Sequence, residues 1–454
     1  MIPIPFNPDD IPYIPEERIT EEKEGGLYLV LAPEVPNCIS VNGDGKDSIN
    51  LCDGTKTIKE ITEIVSAKKG EDPEKNLSEM LTFFNYLEDK KFAFTEPVVR
   101  EGPSPKKAEK LDSLWLNITY KCNLRCRHCH SSFGSPLENE LTTKEIIAVI
   151  KESSQFEGCN LVISGGEPFC REDIFEILKA ASDYFKGRVL VITNGTLITD
   201  EKVKALADID VAVQVSLEGP DEESNDAIRG KGVFKKALKT IRDLKRLGVT
   251  LVVRMTLLKT NVTKIGETIE FVKREGIGKV LFGTLQRSGR AYEFVKDIDP
   301  ETDELIKAYR QMRELDPDFT YIDFVESLKP GVTRGEKVDL CGAGADTLSI
   351  GADGGVYPCA GLMYPEFLAG NVKESSLEEI WKKSPVLEEI RSFSVSEIPG
   401  CKNCPIRYLC GGGCRVDIYW EHGNVRGKTP RCELLHAIKW DELKQTKYKT
   451  KRMG

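Results

Sequence analysis

This sequence of 454 residues contains 14 cysteines, most of them at spacings that suit metal ligands. Cys122, Cys126 and Cys129 stand in the run CNLRCRHC, and seven more cysteines fall in about the last 115 residues. Disulfide scaffolds are usually shorter chains whose cysteines are spread out to staple loops. Because clustered thiolates in a reducing compartment usually bind metals, the candidates are zinc and iron–sulfur clusters.

The first cysteine group supplies three thiolates in a loop that directly follows a predicted strand. Three thiolates bind three irons of a [4Fe–4S] cube and leave the fourth iron without a protein ligand. The amino and carboxylate groups of S-adenosylmethionine (SAM) can chelate that iron, which brings the sulfonium close to a low-potential electron donor. Zinc more often takes four protein ligands in a closed site, and His128 or His130 would then supply the fourth.

The seven later cysteines form a second array, whose members are Cys341, Cys359, Cys401, Cys404, Cys410, Cys414 and Cys432. The first two are separated by twelve residues, Gly354 and four residues, and the next four follow the pattern Cx2Cx5Cx3C. A structural zinc site would use four thiolates and leave three unexplained. Two [4Fe–4S] clusters need eight thiolates, so seven predict either one non-cysteine ligand or one open iron.

Alternating strand and helix patterns predict the elements that position the first group. Apolar, β-branched runs occur at Leu114–Thr119, Leu161–Ser164, Val189–Thr193, Val211–Ser216, Leu251–Thr256 and Val280–Thr284. Amphipathic stretches between them include Thr142–Glu152, Asp173–Tyr184 and Phe234–Leu247. Six β–α repeats with doubly buried strands predict an α/β fold with a parallel sheet, either open and doubly wound or a partial barrel. In both, ligands gather at the carboxyl ends of the strands.

A smaller module precedes these repeats, from about Gly26 to Val98. It holds the strand-like runs LYLVLA and CISVN, then a helix that we expect to be capped by Thr57 with Glu60, and a second helix near Asn76–Lys90. The following polar segment REGPSPKKAEK is typical of a linker.

Charge and hydropathy exclude several classes of protein. The 64 basic and 73 acidic side chains give a net charge of −9, which disfavours nucleic acid or an acidic membrane as the main partner. The proline-rich, acidic start does not resemble a secretory signal, and no apolar stretch has the length of a membrane helix. The sequence therefore predicts a soluble cytoplasmic protein, with a solvated basic tail over residues 441–454.

The first cysteine group and three strand-end motifs together resemble the signature of the radical SAM superfamily. The motifs are Gly165-Gly166-Glu167-Pro168, Thr193-Asn194-Gly195 and Ser216-Leu217-Glu218-Gly219. The resemblance implies a partial (β/α)6 TIM-type barrel. It also implies SAM-binding roles for Gly165, Gly166, Glu167, Ser216, Arg229 and His128. The glycine edge would contact the methionine amino group, His128 would pack near the adenine, and the serine and arginine would bind the ribose or carboxylate.

The order and spacing of the second array resemble the SPASM domain, the auxiliary-cluster extension of radical SAM peptide and cofactor maturases. By this resemblance one auxiliary cluster is held by Cys341, Cys359 and Cys414. The other is held by Cys401, Cys404, Cys410 and Cys432. With the first group, the enzyme would carry three [4Fe–4S] clusters. We interpret the remaining Cys38, Cys52, Cys159 and Cys170 as buried or incidental thiols.

Two departures from the SPASM pattern concern the first auxiliary cluster. Some relatives have an extra cysteine about six residues before the first one, where this chain has Gly335, with Glu336 and Asp339 nearby. Asp339 would be the fourth ligand, or the site would be open to a substrate thiolate. Sulfatase-maturing relatives have an aspartate base directly after the second cysteine, where this chain has Ala360, so formylglycine formation is not expected.

The N-terminal module is similar to the PqqD-like winged-helix domains, which bind a leader peptide as an added strand at a sheet edge. A nucleic-acid-binding winged helix would need a denser basic face, and a purely structural or dimerising role is a further alternative. The domains are predicted at residues 1–100 (PqqD-like), 101–112 (linker), 113–325 (partial barrel), 326–440 (SPASM) and 441–454 (tail).

The leading hypothesis is a peptide maturase that cleaves SAM to a 5′-deoxyadenosyl radical and removes hydrogen from a ribosomally made precursor peptide. An external low-potential donor, ferredoxin or flavodoxin, would supply the electron, and crosslinking, epimerisation or rearrangement would follow. A second hypothesis replaces the peptide with a small cofactor precursor such as a tetrapyrrole. A third is a non-catalytic zinc or iron–sulfur protein, which would leave the glycine-rich strand ends without a purpose. No general base can be named from the sequence.

Overall fold

The computed structural model describes residues 6–14, 19–23, 26–32, 37–96, 108–325 and 337–445, with the backbone alone for residues 19–23, 37 and 445. Most of the predicted linker, the positions of Gly335 and Glu336, and the last nine residues of the basic tail lie outside these ranges.

The N-terminal domain pairs a small sheet with three helices. Its strands are β1 (Ile19–Lys23), β2 (Leu27–Ala32) and β3 (Asn37–Val41), which run antiparallel in the order β1-β2-β3. Its helices are α1 (Gly43–Asn50), α2 (Ile58–Lys69) and α3 (Pro73–Asp89). The predicted cap of α2 is confirmed, because Thr57 accepts a hydrogen bond from the Glu60 amide while the Glu60 carboxylate accepts from the Thr57 amide.

The two faces of the N-terminal sheet are buried against different partners. Val30 and Ile39 belong to a core formed with the three helices of the domain. Leu29, Leu31 and Cys38 point the other way and pack in a separate cluster with residues of the C-terminal region. Strand alternation sends successive side chains to opposite faces, so both faces of this sheet are covered.

The central region alternates strands and helices along the chain. Its strands are β4 (Ser113–Asn117), β5 (Asn160–Ser164), β6 (Val189–Thr193), β7 (Ala212–Ser216), β8 (Leu251–Leu257), β9 (Val280–Thr284) and β10 (Ile322–Phe324). Its helices are α4 (Thr143–Ser153), α5 (Ile174–Tyr184), α6 (Asp200–Ala207), α7 (Glu222–Arg229), α8 (Val233–Arg246), α9 (Ile265–Glu275), α10 (Arg290–Ile298) and α11 (Thr302–Leu315). All six predicted strands are present, and the region has the partial (β/α)6 barrel that the sequence predicts.

The C-terminal region extends the barrel sheet. Its strands are β11 (Thr347–Ile350), β12 (Gly355–Tyr357) and β13 (Gly370–Asn371). Its helices are α12 (Leu377–Lys383), α13 (Pro385–Arg391), α14 (Arg407–Cys410), α15 (Arg415–His422) and α16 (Cys432–Gln445). The sheet order is β10-β9-β8-β7-β6-β5-β4-β11-β12-β13. Since β11 lies parallel to β4 and carries an antiparallel hairpin, the predicted auxiliary-cluster region is joined to the barrel through the strand that precedes the first cysteine loop.

The last helix crosses the boundary that the sequence analysis placed at residue 440. Helix α16 continues to Gln445, and its residue Leu443 is buried with Ile406 and Leu409 against the N-terminal sheet. The first residues of the predicted tail are therefore part of a packed helix and not a solvated extension. Among the described residues, no helix is both long and apolar enough to span a membrane.

Candidate active site

The first cysteine loop is fastened at the carboxyl end of β4. The amide of Cys122 donates to the carbonyl of Gly134, and the Gly134 amide donates back to the Tyr120 carbonyl. The ring of Tyr120 stacks on that of Phe133 with 4.2 Å between centroids. Arg290, at the start of α10, donates to the carbonyls of Cys126 and Phe133. The loop is thus held from both sides, which fixes where its thiols point.

The three thiols of this loop lie within electrostatic reach of one another. Burial raises the pKa of Cys122 to about 12, and the thiolates of Cys126 and Cys129 contribute to the rise. Within the described ranges, no three His, Cys, Asp or Glu side chains stand close enough to share a single metal ion. A cubane instead takes one thiolate at each of its irons. The donor set of three soft thiolates fits a [4Fe–4S] cluster with one open iron.

A buried ion pair stands beside Cys126. Glu218, which is 1% exposed, accepts from the Nη2 of Arg229 at 2.6 Å and from the Thr256 amide at 2.7 Å. Its Oε1 is also 3.0 Å from the Nε2 of His128. Burial acts to raise the pKa of Glu218, but His128 and Arg229 outweigh it and lower the pKa to about 2. The carboxylate is therefore ionised and holds both cofactor-binding candidates in place.

The polar atoms left over in this group point to a ligand. The Nη1 of Arg229 lies 3.9 Å from the Cys126 sulfur, while its Nε and the Nδ1 of His128 are buried without a hydrogen-bond partner. Buried polar atoms normally have partners, so these two mark a place for a polar molecule next to the first cluster. The amino acid and nucleoside groups of SAM fit such a place. The structure brings Arg229 and His128 together, and Ser216 ends the neighbouring strand β7.

The Gly-Gly-Glu edge after β5 contacts the cysteine loop. The amides of Gly166 and Glu167 donate to the carbonyls of Thr119 and Lys121. A Cβ on Gly166 would stand 2.3 Å from the Lys121 carbonyl oxygen, so only glycine permits this approach. The fully buried Glu167 side chain accepts hydrogen bonds from Thr193 and from the amides of Asn194 and Phe169. Its carboxylate ties β5 to β6, and the two amides are used by the cysteine loop, so the predicted contact with the amino group of SAM would have to use backbone carbonyls of the edge.

Replacing Gly166 with alanine is expected to displace the loop that carries Cys122. The new methyl group meets backbone and not a flexible side chain, so the loop itself must shift. We expect the rate of 5′-deoxyadenosine formation to fall at least about tenfold, which corresponds to about 1.4 kcal/mol in the activation barrier. The control is Gly278→Ala, where an added Cβ has nothing within 4 Å. Equal activity of the two variants would contradict this role.

The second array separates into two groups in space. Burial raises the pKa of Cys359 to about 12, with a contribution from Cys341. The side chain of Cys414 is exposed, but the protein around its thiol desolvates it, and this effect together with Asp417, Cys341 and Cys359 raises its pKa. These three cysteines therefore converge, in agreement with the group that the SPASM resemblance implies for the first auxiliary cluster.

The other four cysteines of the array converge in the same way. Burial raises the pKa of Cys401, with contributions from Cys432 and Cys404. Burial likewise raises the pKa of Cys410 to about 11, and Cys404 and Cys401 add to this rise. The grouping matches the predicted second auxiliary cluster. The role of each cysteine as a ligand stays a prediction.

The residues around these groups bear on Asp339 and on the four cysteines outside the groups. Asp339 accepts hydrogen bonds at Oδ1 from the Ser394 hydroxyl and the Val395 amide, so this oxygen fixes a turn and is not free for a cluster. Of the cysteines outside the three groups, Cys38, Cys52 and Cys159 are buried, and Cys170 is partly buried. Cys170 lies close enough to Glu167 for the carboxylate to raise its pKa further beyond the effect of burial.

An aromatic cluster lies between the first cysteine loop and Cys359. Its members are Tyr292, Tyr364, Phe367, Tyr419 and Trp420. Trp420 donates to the Tyr364 hydroxyl, and Tyr292 contacts the Trp420 ring at 4.8 Å and is 49% exposed. The amide of Ala291 donates to the Cys129 carbonyl, and Cys359 packs against the same small apolar core as Phe367, Tyr419 and Trp420. Sequence reasoning missed this arrangement, because its members come from three separate segments and share no periodic pattern.

Comparison with known proteins agrees with this site. The Radical SAM superfamily model matches residues 116–272, and the SPASM iron–sulfur cluster-binding domain model matches residues 341–405. The chain is therefore a radical SAM enzyme. It belongs to the SPASM-containing family of the mycofactocin maturase MftC: the protein from Mycobacterium tuberculosis (strain ATCC 25618 / H37Rv) is 31% identical over 332 residues, which cover 71% of this chain and 83% of MftC.

Two further matches bear on fold and substrate. The AdoMet-dependent heme synthase of Methanosarcina barkeri (strain Fusaro / DSM 804) is 30% identical over 335 residues, covering 69% of this chain and 94% of the synthase. The crystal structure of Streptococcus suis SuiB bound to precursor peptide SuiA matches with a TM-score of 0.60 at 15% identity. That match covers 93% of this chain and all of SuiB, and it supports the overall fold.

Proposed function

We propose that this enzyme is a peptide maturase whose N-terminal domain binds the leader of a precursor peptide. The observation that carries the proposal is the position of β3 as an outer strand of the N-terminal sheet. In the described part of the chain β3 pairs with β2 alone, while both faces of the sheet are covered. An extended peptide can therefore join this sheet only at an edge, where main-chain hydrogen bonds would hold it.

A side chain of helix α3 lies near strand β3. The hydroxyl of Tyr86 on α3 lies close enough to Cys38 on β3 for the thiolate to raise its pKa, and burial raises it further, to about 12 in all. Lys90 lies over the same ring, 5.7 Å from its centroid. A half-buried aromatic side chain next to an outer strand of a sheet is the kind of surface that accepts an apolar leader residue. This arrangement supports the PqqD-like interpretation of the domain.

The comparisons support a peptide substrate in two ways. The part of the chain that follows the N-terminal domain and the undescribed linker residues, 108–454, has 347 of the 454 residues, or about 76% of the chain. The 93% coverage by SuiB must then include much of the N-terminal domain, and SuiB is crystallised with its precursor peptide. MftC, a relative in sequence, is itself named a maturase.

The chain's own residues prepare the reaction at the mouth of the barrel. When bound, the first cluster and SAM supply one-electron cleavage of SAM and abstraction of a hydrogen atom from the substrate. Glu218 holds Arg229 and His128 beside Cys126, and Arg290 fixes the cysteine loop. The barrel walls exclude water from this space.

The proposal includes three [4Fe–4S] clusters, an external ferredoxin or flavodoxin as electron donor, and a cytoplasmic location. The two converging thiol groups of the second array support the two auxiliary clusters. Seven thiolates leave one iron of the first auxiliary cluster without a cysteine, which suits binding of a substrate group.

The test uses the reconstituted full-length enzyme and a short precursor peptide encoded beside its gene. We expect a mass shift of the peptide with SAM and reductant, and none with the same core sequence lacking its leader. Tyr86→Ala should weaken leader binding about tenfold in fluorescence anisotropy, whereas Tyr184→Ala, on an exposed tyrosine of α5, should not. Equal reaction of the leaderless core would contradict leader recognition.

A second candidate function is modification of a tetrapyrrole. The aromatic cluster favours it, because its rings, of which Tyr364 and Tyr419 are stacked, provide an apolar surface near the first cysteine loop. The relationship to the AdoMet-dependent heme synthase gives further support. Conversion of an iron porphyrin by the enzyme, with no change in any peptide, would establish this candidate over the first.

A further inference from the structure

The two groups of the second array meet at a short glycine turn. Cys410, which lies in the group of four, ends helix α14, and Cys414, which lies in the group of three, directly precedes α15. Between them Gly411, Gly412 and Gly413 all have positive φ angles, of 64°, 73° and 80°. Three successive residues with positive φ strongly favour glycine, and this tight turn brings the two groups close together.

The side chain of Arg415 folds back over this turn. Its Nη2 donates to the carbonyls of Gly412, at 2.7 Å, and Gly413, and its Nη1 donates to the Val425 carbonyl at 2.8 Å. The residue is 1% exposed. The guanidinium is thus fixed inside the protein at the point where the two cysteine groups come together.

No carboxylate balances this charge within the described part of the chain. The contacts of Arg415 are three neutral carbonyls and, at 6.0 Å, the ring of Phe393, and its Nε is buried without a partner. Two other buried arginines that lie near cysteines differ in this respect. Arg431 pairs with both oxygens of Asp299, and Arg229 pairs with Glu218.

A buried cation without a counter-charge is costly, and anions next to Arg415 would offset this cost. The nearest anions are the thiolates themselves. Burial lowers the pKa of Arg415, while thiolates of both groups raise it, and these are Cys341, Cys414, Cys401 and Cys410. A cluster with cysteine thiolate ligands carries net negative charge, so a cluster in each of the two cysteine groups would balance the charge of Arg415.

We propose that Arg415 links the two auxiliary clusters electrostatically and raises the reduction potentials of both. The inference rests on the two auxiliary clusters of the proposed function. A fixed positive charge stabilises the more negative, reduced state of each neighbouring cluster, because Coulomb interactions are strong where water is excluded. Since one cation serves two clusters, its loss lowers both potentials together. Arg415 is a positioning and tuning residue and makes no contact with substrate.

The experiment is an EPR-monitored redox titration with dithionite of the full chain carrying Cys122→Ala, Cys126→Ala and Cys129→Ala, which leaves only the auxiliary signals. Arg415→Met should decrease the ratio of reduced to oxidised cluster about tenfold at a given potential for both clusters. For one electron this equals a shift of about 59 mV. Arg415→Lys keeps the charge and should remain near the parent protein.

The control is Arg391→Met in the same background. Arg391 is also buried, at 8% exposure, and also donates to backbone carbonyls, but the cysteines do not contribute to its pKa. Its loss should leave both potentials unchanged. Unchanged potentials in Arg415→Met, a shift of one cluster only, or a lysine variant that behaves like the methionine variant would overturn the link. Fewer than two auxiliary signals in the parent protein would contradict the proposed pair of auxiliary clusters, and this outcome does not depend on any arginine variant.

Discussion

Replacing Cys122, Cys126 and Cys129 with alanine is expected to abolish SAM cleavage and to leave most of the iron in place. The reconstituted parent protein should hold about twelve irons, and the triple variant about eight, because only the first cluster is lost. Without that cluster no electron reaches SAM, so 5′-deoxyadenosine should fall below detection. Iron and sulfide analysis together with chromatography of the SAM products measures both effects.

The other cysteines provide matched controls for this prediction. Alanine at Cys341, Cys359 and Cys414 should also remove about four irons but preserve SAM cleavage, since the first cluster is untouched. Alanine at Cys159 should remove none, because this buried thiol donates to the neighbouring Asn160 carbonyl and lies outside every group. Loss of all iron from the first triple variant would show that the groups do not assemble independently.

The barrel was predictable from sequence because its signal is local. Each strand buried on both faces appears as a short apolar run, and the structure confirms all six runs within about two residues of their predicted ends. Strands β10 and β11 were missed, since three or four residues in turn-rich surroundings carry no period. Their place in the sheet follows from long-range pairing with β9 and β4.

The site was predictable where chemistry demands a particular residue type, and not where packing decides. Spacing identified the cysteines, but their division into groups of three and four came from the SPASM resemblance, and the fold brings the same groups together. The sequence named Arg229 as a ligand for SAM without the partner that orients it. Glu218 stands eleven residues away, and only the return of α7 to the end of β7 places the two side chains in contact.

The pairing of Glu218 with Arg229 leads to a prediction of large effect. Glu218→Gln should lower the free energy of unfolding by about 3 kcal/mol or more, because it leaves a buried guanidinium without its counter-charge. It should also slow SAM cleavage about a hundredfold. The released Arg229 and His128 would no longer be held beside Cys126, and about 2.7 kcal/mol in the activation barrier corresponds to that factor. Urea unfolding and the rate of 5′-deoxyadenosine formation measure the two effects.

Two further variants separate a loss of stability in Glu218→Gln from a loss of cofactor positioning. Glu275→Gln is the control, because Glu275 also forms an ion pair, with Arg242, but on the outside of the barrel and far from the cysteines. It should cost about 1 kcal/mol or less and leave SAM cleavage unchanged. Glu218→Asp keeps the charge on a shorter side chain and should recover much of the activity. If Glu218→Gln cleaves SAM within about threefold of the parent rate, Arg229 and His128 do not depend on this carboxylate, and their role beside the first cluster would have to be assigned anew.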